Sequence, residues 1–337
     1  MMKLNLMTQF FETVDENWQS PIADQIASRW VDLTARVTCI RASANFVFKI
    51  EKDSQVYALR FNHENERTAA QIEAELVYIN QLVKHGIVAN KPIPSLQGNY
   101  VESVLTKLGK FHAVVFEALK GERLTLKEID AERVLLWGKA LGELHNASCG
   151  WRIDGRSGWK AQLSFARSNI PAGDGVLKNE LNDVEKILSA LPMNQENFGL
   201  IHFDFELDNI VWQPNGPGII DFDDCAYCWY AADIVFALRD LFNDRVSGID
   251  FNAQVFETFM DGYRLVRKMP DRELSNIPVL LRLNNLYSYG RVYRSIIEDP
   301  VEPEKEWARD LRKKLLRLLE KYQEEFQHFP IRSILEE

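Results

Sequence analysis

The sequence predicts an α+β fold in two lobes, the first rich in β-strand and the second mainly helical. Three observations carry this. Between about residues 46 and 116 apolar residues alternate with polar ones in short runs, the period of strands half-buried on one face. After a short stretch ending in Gly121 the apolar spacing becomes helical. Hydrophobic residues make up 46% and charged residues 26% of 337, enough apolar material for a sizeable core in one large domain or two ordinary ones.

The first thirty residues carry Phe10, Phe11, Trp18 and Trp30 among polar positions, which suits packed helices. Phe46, Phe48 and Ile50 then alternate with Val47 and Lys49, and Val56 to Phe61 forms a second run after a polar link at 51–55. Two such runs read as a hairpin. Ala69, Ile72, Leu76, Ile79 and Val83 recur at helical spacing, and Gly86 ends that helix. Val101 to Leu105 and Ala113 to Phe116 read as two more strands. The linker Glu117 to Gly121 separates an N-lobe over 1–118 from a C-lobe over 119–337, and a cleft between lobes is a favoured ligand site. In the C-lobe, Val134, Trp137, Leu141 and Leu144 mark a helix ending near Asn146, long helices begin again from about residue 229, and Glu304 to Gln327 is an amphipathic helix.

The formal net charge of -9 argues against general nucleic-acid binding, which needs a basic footprint. The opening residues, Met1 to Gln9, lack the apolar core of a signal peptide, and no apolar run is long enough for a bilayer. A reducing cytoplasm is the expected location, without a membrane partner. Four cysteines give no disulfide framework. Cys225 and Cys228 form a C-x-x-C, but Cys39 and Cys149 stand alone, so ordinary thiols are expected.

The chemistry is concentrated between Leu200 and Asp233. His202-Phe203-Asp204-Phe205-Glu206-Leu207-Asp208-Asn209 reads as H-x-D-x-x-x-x-N. Next come apolar residues Ile210 to Trp212, a turn from Pro214 to Pro217, and Ile219 and Ile220 leading into Asp221-Phe222-Asp223-Asp224. Asn209 and Asp221 are equidistant from Asn215, so an antiparallel hairpin centred there sets them opposite each other, within a one-residue slip or a bulge. An amide oxygen beside a carboxylate suits Mg²⁺, a hard ion. A further carboxylate, Asp204, can accept or orient the proton of an attacking hydroxyl. Phosphoryl transfer asks for this set.

The arrangement resembles the aminoglycoside phosphotransferase and choline kinase-like family, a branch of the protein kinase-like fold. The resemblance covers nearly the whole chain and is most specific at 202–233. It implies a bilobal kinase-like fold, ATP and Mg²⁺ as cofactors, Asp204 as catalytic base, and Asn209 and Asp221 as metal ligands. It implies that His202 supports the loop and that Asp233 is an architectural hydrogen-bonder. Phe203 departs from the family, which usually has glycine there. Asp223 replaces the glycine of D-F-G; it either joins the metal shell or, the favoured reading, faces solvent or bonds within its loop.

In the N-lobe, Arg60 is the cation expected to reach the phosphates. It points away from the face of Tyr57, Leu59 and Phe61, with small Ala58 beside it. Arginine here resembles a branch that includes homoserine kinase-like phosphotransferases; protein kinases have lysine. The resemblance implies that Glu75, which lies off the apolar stripe of the next helix, pairs with it, with Glu73 as the alternative. The loop Ala42 to Asn45 has no glycine, though Asn45 matches a family position. Glu117 and Leu119 are placed by position alone at an adenine-binding hinge.

Only eleven residues separate Asp221 from Asp233, and no A-P-E motif is present after them, which favours a small acceptor: an aminoglycoside, an amino alcohol, homoserine or a sugar. A serine/threonine protein kinase and a non-catalytic nucleotide-binding module are the alternatives. Three groups compete as the acceptor surface. Asp233, Asp240 and Asp244 would draw a polycation. Tyr287, Arg291 and Arg294 would suit a carboxylate or phosphate. Tyr227, Trp229 and Tyr230 would stack on a sugar or cage a quaternary ammonium. The oligomeric state is not legible.

Overall fold

The structure, a computed structural model, describes residues 1–32, 34–297 and 305–336. It divides into two compact units that do not follow a single cut of the chain. The first holds residues 1–80, 90–119 and 291–316, and the second 81–89, 120–290 and 317–337.

The first unit is built on a six-stranded antiparallel sheet. Two short helices, α1 (Leu4–Phe11) and α2 (Pro21–Ala27), precede it. Ser20 caps α2 by accepting from the Ile22 N–H, with Pro21 at the first helical position. The strands are β1 (Arg36–Ala42), β2 (Phe46–Lys52), β3 (Gln55–His63), β4 (Pro92–Ile93), β5 (Glu102–Thr106) and β6 (Gly109–Glu117), with helix α3 (Ala69–Lys84) between β3 and β4. The order is β1-β2-β3-β6-β4, with β5 also on β6. The expected hairpin is β2–β3, in register from Phe46 opposite Phe61 to Lys52 opposite Gln55.

Alternation decides the faces. Phe46, Phe48 and Phe61 point to the side covered by α1, where Phe10 lies 4.1 Å from Phe46 and 5.5 Å from Phe61 between ring centroids. Phe111 of β6 closes the cluster at 5.5 Å from Phe61. Burying such rings drives the sheet onto the N-terminal helices. Strand β1, with the bulge between Cys39 and Arg41, has no clear sequence signature, because Arg36 to Ala42 mixes polar and apolar residues without a clean period.

The division explains two departures from the lobes expected at 1–118 and 119–337. Residues 81–89 join the second unit because Val88 accepts from the Ile219 N–H at 2.8 Å and Ala89 bridges Ile219. Residues 291–316 join the first because Arg294 pairs with Glu66 at 2.8 Å and Trp307 meets Phe11 edge-on at 5.3 Å.

The second unit is mainly helical. It contains α4 (Ala131–Ser148), α5 (Trp159–Ser168), α6 (Gly175–Ala190), α7 (Tyr230–Ala237), α8 (Gln254–Arg264) and α9 (Asp271–Leu274). Helices α10 (Ile277–Ile297), α11 (Glu306–His328) and α12 (Ile331–Glu336) come last. Glu304, the expected start of the last amphipathic helix, lies outside the described residues. Asp130 caps α4 through the Arg133 N–H. Helices α4 and α8 approach so closely that a Cβ on Gly138 would strike the backbone of Phe259, and one on Gly262 that of Leu135. Two short two-stranded antiparallel sheets sit among the helices: β7 (Phe198–Ile201) with β10 (Ala226–Trp229), and the hairpin of β8 (Ile210–Gln213) with β9 (Gly216–Ile219). Among the described residues no helix is long and apolar enough to cross a membrane.

Candidate active site

In the first unit, Arg60 and Glu75 form a buried bidentate pair. Nη1 and Nη2 of Arg60 donate to the two carboxylate oxygens of Glu75 at 2.8 and 2.6 Å. Their exposures are 5% and 1%. Strand β3 puts Arg60 opposite Val47 and Val114, on the face away from the aromatic cluster. There its guanidinium stands 5.3 Å over the Phe116 ring. Helix α3 supplies the acid, and Glu73, the alternative partner, is exposed. A fork of donors against a carboxylate is the strong geometry for such a pair, and it fixes the arginine head.

The hinge residues lie at the end of β6. The Glu117 N–H donates to the Lys91 oxygen at 2.8 Å and the Ala118 N–H reaches the Val56 oxygen at 3.4 Å. The turn between β1 and β2 is tight: Ser43 N–H donates to the Asn45 oxygen, and the Met2 N–H donates to the Ser43 oxygen. Asn45 is buried at 2% exposure, so the loop presents backbone rather than that side chain.

In the second unit, β7 delivers the loop that carries His202 and Asp204, and a 3₁₀ turn over Leu207–Asn209 leads into β8. The loop is held by Asp233. Its Oδ1 accepts from the Phe203 N–H at 2.7 Å and its Oδ2 from the His202 N–H at 2.8 Å. His145 of α4 contacts the same Oδ2 at 3.1 Å and the Tyr263 hydroxyl at 2.8 Å. Burial pushes the His145 imidazole below its ordinary range, against the opposing pull of Asp233. Phe203 takes φ 72°, the left-handed conformation a glycine adopts without cost. Its ring is retained by packing on Phe236 at 4.8 Å and edge-on to Tyr287 at 5.9 Å.

His202 is engaged in two hydrogen bonds that hold the loop. Its Nδ1 accepts from the Asp204 N–H at 3.2 Å, which puts the proton on Nε2, and Nε2 donates to the Ile220 oxygen at 3.1 Å. One imidazole thereby ties the Asp204 loop to the residue before Asp221.

The hairpin register is one residue off the expected centre. Ile210 faces Ile219 and Gln213 faces Gly216, so the turn is the pair Pro214-Asn215. Asn209 consequently faces Ile220, whose N–H donates to the Asn209 oxygen at 3.0 Å, and Asp221 stands one position beyond. Asp221 also has a positive φ, 65°. Arg156 braces the next segment, donating from Nη2 to the Asp223 oxygen and from Nε to the Cys225 oxygen, both at 2.8 Å. Asp223 is 4% exposed, which excludes the solvent-facing reading.

Asn209 donates from Nδ2 to the backbone oxygen and to Oδ2 of Asp204, each at 2.9 Å. The other end of the amide, Oδ1, takes part in neither bond. Oxygen donors from Asn209 and Asp221 fit a hard divalent cation. No group of three or more His, Cys, Asp or Glu side chains gathers as a metal cage among the described residues.

Arg239, which sequence reasoning missed, reaches the same spot. Its Nη2 donates to Asp204 Oδ1 at 3.1 Å, its Nε pairs with Glu206 Oε1, and Asp244 Oδ1 is 3.9 Å from Nε. Burial opposes its charge, yet Asp204, Glu206 and Asp244 together hold it protonated well above the ordinary arginine range. Burial raises the Glu206 carboxyl above its ordinary range, and its ion pair with Arg239 opposes that and favours the carboxylate. No short-range signal marks Arg239, since it lies 35 residues from Asp204.

The three candidate acceptor surfaces are altered by the fold. Asp233 is fully buried and committed to backbone N–H groups, and α7 ends at Ala237, so Asp240 and Asp244 do not continue its face. Arg294 is paired with Glu66. Trp229 and Tyr230 are core residues at 1% and 0% exposure, and the Tyr227 hydroxyl accepts from the Ile153 N–H. The aromatic cage is therefore a packed wall. Cys225 and Cys228 are buried free thiols, and burial pushes Cys228 far up.

A model of the phosphotransferase enzyme family matches residues 37–273. The chain is 26% identical over 312 residues to amicoumacin kinase of Bacillus subtilis (strain 168), covering 88% of this chain and 91% of the relative. It is 25% identical over 257 residues to homoserine kinase of Rhizobium johnstonii, covering 71% and 73%. The fold matches a solved structure of amicoumacin kinase hAmiN in complex with AMP-PNP, Ca2+ and Ami at a TM-score of 0.73 and 21% identity, covering 93% and 96%. With a family match across most of its length and the kinase-like arrangement of strands, loop and hairpin, the chain belongs to the phosphotransferase enzyme family and is a kinase acting on hydroxyl groups.

Proposed function

We infer that this enzyme transfers the γ-phosphate of Mg-ATP to a hydroxyl of a small molecule of the amino alcohol, homoserine, sugar or aminoglycoside class. The observation that carries the reading is the orientation of Asn209, whose donor end is fixed on Asp204 while its oxygen is left for a cation. Bound by Asn209 and Asp221, Mg²⁺ would neutralise phosphate charge. Asp204 takes the proton of the acceptor hydroxyl as its oxygen attacks the γ-phosphorus. The bond to the β–γ bridging oxygen breaks, and ADP leaves with that electron pair. By the family resemblance, Arg60, fixed by Glu75, would contact nucleotide phosphate, as would the backbone around Asn45, and Glu117 and Leu119 would meet adenine through their main chain.

The segment after Asp221 supports a small acceptor. Residues 226–229 are consumed as β10 and lead directly into α7, leaving no long segment on which a protein substrate could dock. The names of the relatives point the same way, to small hydroxyl compounds. The test is ADP release from Mg-ATP across amicoumacin, homoserine, aminoglycosides, choline, ethanolamine, sugars and nucleosides. One acceptor that gives a phosphorylated product is expected. Turnover only with an added protein would overturn the small-molecule assignment.

A further inference from the structure

Asp204 is held from two sides, and only one holder belongs to the metal site. Asn209 takes Oδ2 and Arg239 takes Oδ1. Arg239 opens the 3₁₀ turn after α7. Its guanidinium is also the counter-ion of Glu206 and lies near Asp244. Carboxylates sharing a partly buried patch repel one another, and without a cation between them one is driven to turn away. A base that turns away is lost, because it must stay within hydrogen-bond reach of the attacking hydroxyl. A planar guanidinium can serve several carboxylates at once, which a lysine ammonium does less well. Each carboxylate oxygen has two lone pairs, so Oδ1 and Oδ2 each keep one for an incoming hydroxyl.

We propose that Arg239 is a positioning residue for phosphoryl transfer, fixing the plane of the Asp204 carboxylate and shielding it from Glu206 and Asp244. This rests on Asp204 as the base. The reaction does not require Arg239 to touch nucleotide or acceptor; it acts through Asp204.

Two measurements on the full chain test this. The first is turnover of the acceptor that wild type phosphorylates in the panel of hydroxyl compounds. Arg239→Ala lowers kcat about 100-fold, the scale of a misplaced catalytic group, with KM for Mg-ATP little changed. Arg239→Lys is intermediate. Added guanidinium ion recovers part of the rate in Arg239→Ala and none in Asp204→Ala. Unchanged kcat in Arg239→Ala, or a loss confined to KM for Mg-ATP, overturns the proposal. Arg239→Ala/Glu206→Gln, which relieves the uncompensated charge, replaces the single variant if that fails to fold. The second measurement needs no turnover: melting temperatures of wild type, Arg239→Ala, Asp204→Asn and the double variant. The effect of Arg239→Ala shrinks in the Asp204→Asn background if the pair is coupled, and full additivity overturns the proposal. Normal turnover by Asp204→Ala would instead remove the base assignment, while the melting cycle still reports the contact.

Discussion

The side-chain amide of Asn209 directs both of its hydrogen bonds at one residue, Asp204, contacting the backbone oxygen and Oδ2 at 2.9 Å each. An amide used this way cannot rotate without losing both bonds, so its oxygen has one direction available. If Asn209 holds the cation and Asp204 is the base, Asn209→Ala removes a ligand and loosens the base together. A magnesium titration of turnover should show the half-saturating Mg²⁺ concentration raised about 10- to 100-fold, with kcat reduced as well. An unchanged magnesium requirement would show that Asn209 holds no metal.

Phe203 gives a test of backbone strain. Replacing its ring loses packing on Phe236 and Tyr287, and large-to-small changes of this kind cost about 3–5 kcal/mol. At φ 72°, however, alanine keeps a strain that glycine lacks, on the order of 1 kcal/mol. In denaturant unfolding, Phe203→Gly should be the more stable of the two variants, the reverse of the usual order in regular structure.

The Arg60–Glu75 pair should respond asymmetrically. Both side chains are buried, and removing one partner strands a charge, which costs about 3–5 kcal/mol. Arg60→Met should lose stability on that scale in denaturant unfolding. Arg60→Met/Glu75→Leu should recover most of it without recovering affinity for Mg-ATP. Recovery of both would make the pair structural only.

His145 sets a pH dependence. Its folded-state pKa lies below the ordinary value, chiefly through burial. The unfolded chain therefore binds a proton near pH 6.5 that the folded chain refuses. Where the unfolded state holds more protons, stability rises with pH. The stability that the neutral imidazole permits is present above about pH 6.5 and is lost as pH falls below it. Denaturant midpoints between about pH 5 and 8 should slope accordingly, and His145→Gln should flatten that part of the slope.

The parts of the site within a few residues of one another are legible from spacing. Asp204 and Asn209 share one loop, so spacing alone brings them into range, whereas the pairing of Glu75 with Arg60, fifteen residues apart on a helix and a strand, is legible only through the family resemblance. The hairpin is legible as a hairpin, but its register is set by a two-residue turn in which Gly216, at φ 121°, already belongs to β9. A count centred on Asn215 lands one residue away, within the slip that count allows. Arg239 and Arg156 are not legible, because each acts across 35 or more residues through a contact that only the packed fold creates. Whether Trp229 and Tyr230 face a ligand or the core stays open in the sequence, because composition does not say which side of a strand-to-helix junction turns inward. Residues 291–316 fall on the wrong side of a simple cut for the same reason: a helix can return to an earlier unit without any mark in its own sequence.

The measurement that bears most directly on the mechanism is single-turnover phosphoryl transfer by Asp204→Ala, alongside Mg-ATP binding to the same variant by calorimetry. Removing the base should abolish transfer, leaving less than about one part in 100 of the wild-type rate, with Mg-ATP affinity nearly intact. Wild-type transfer by Asp204→Ala would contradict the assignment of the base and the role argued for Arg239 behind it.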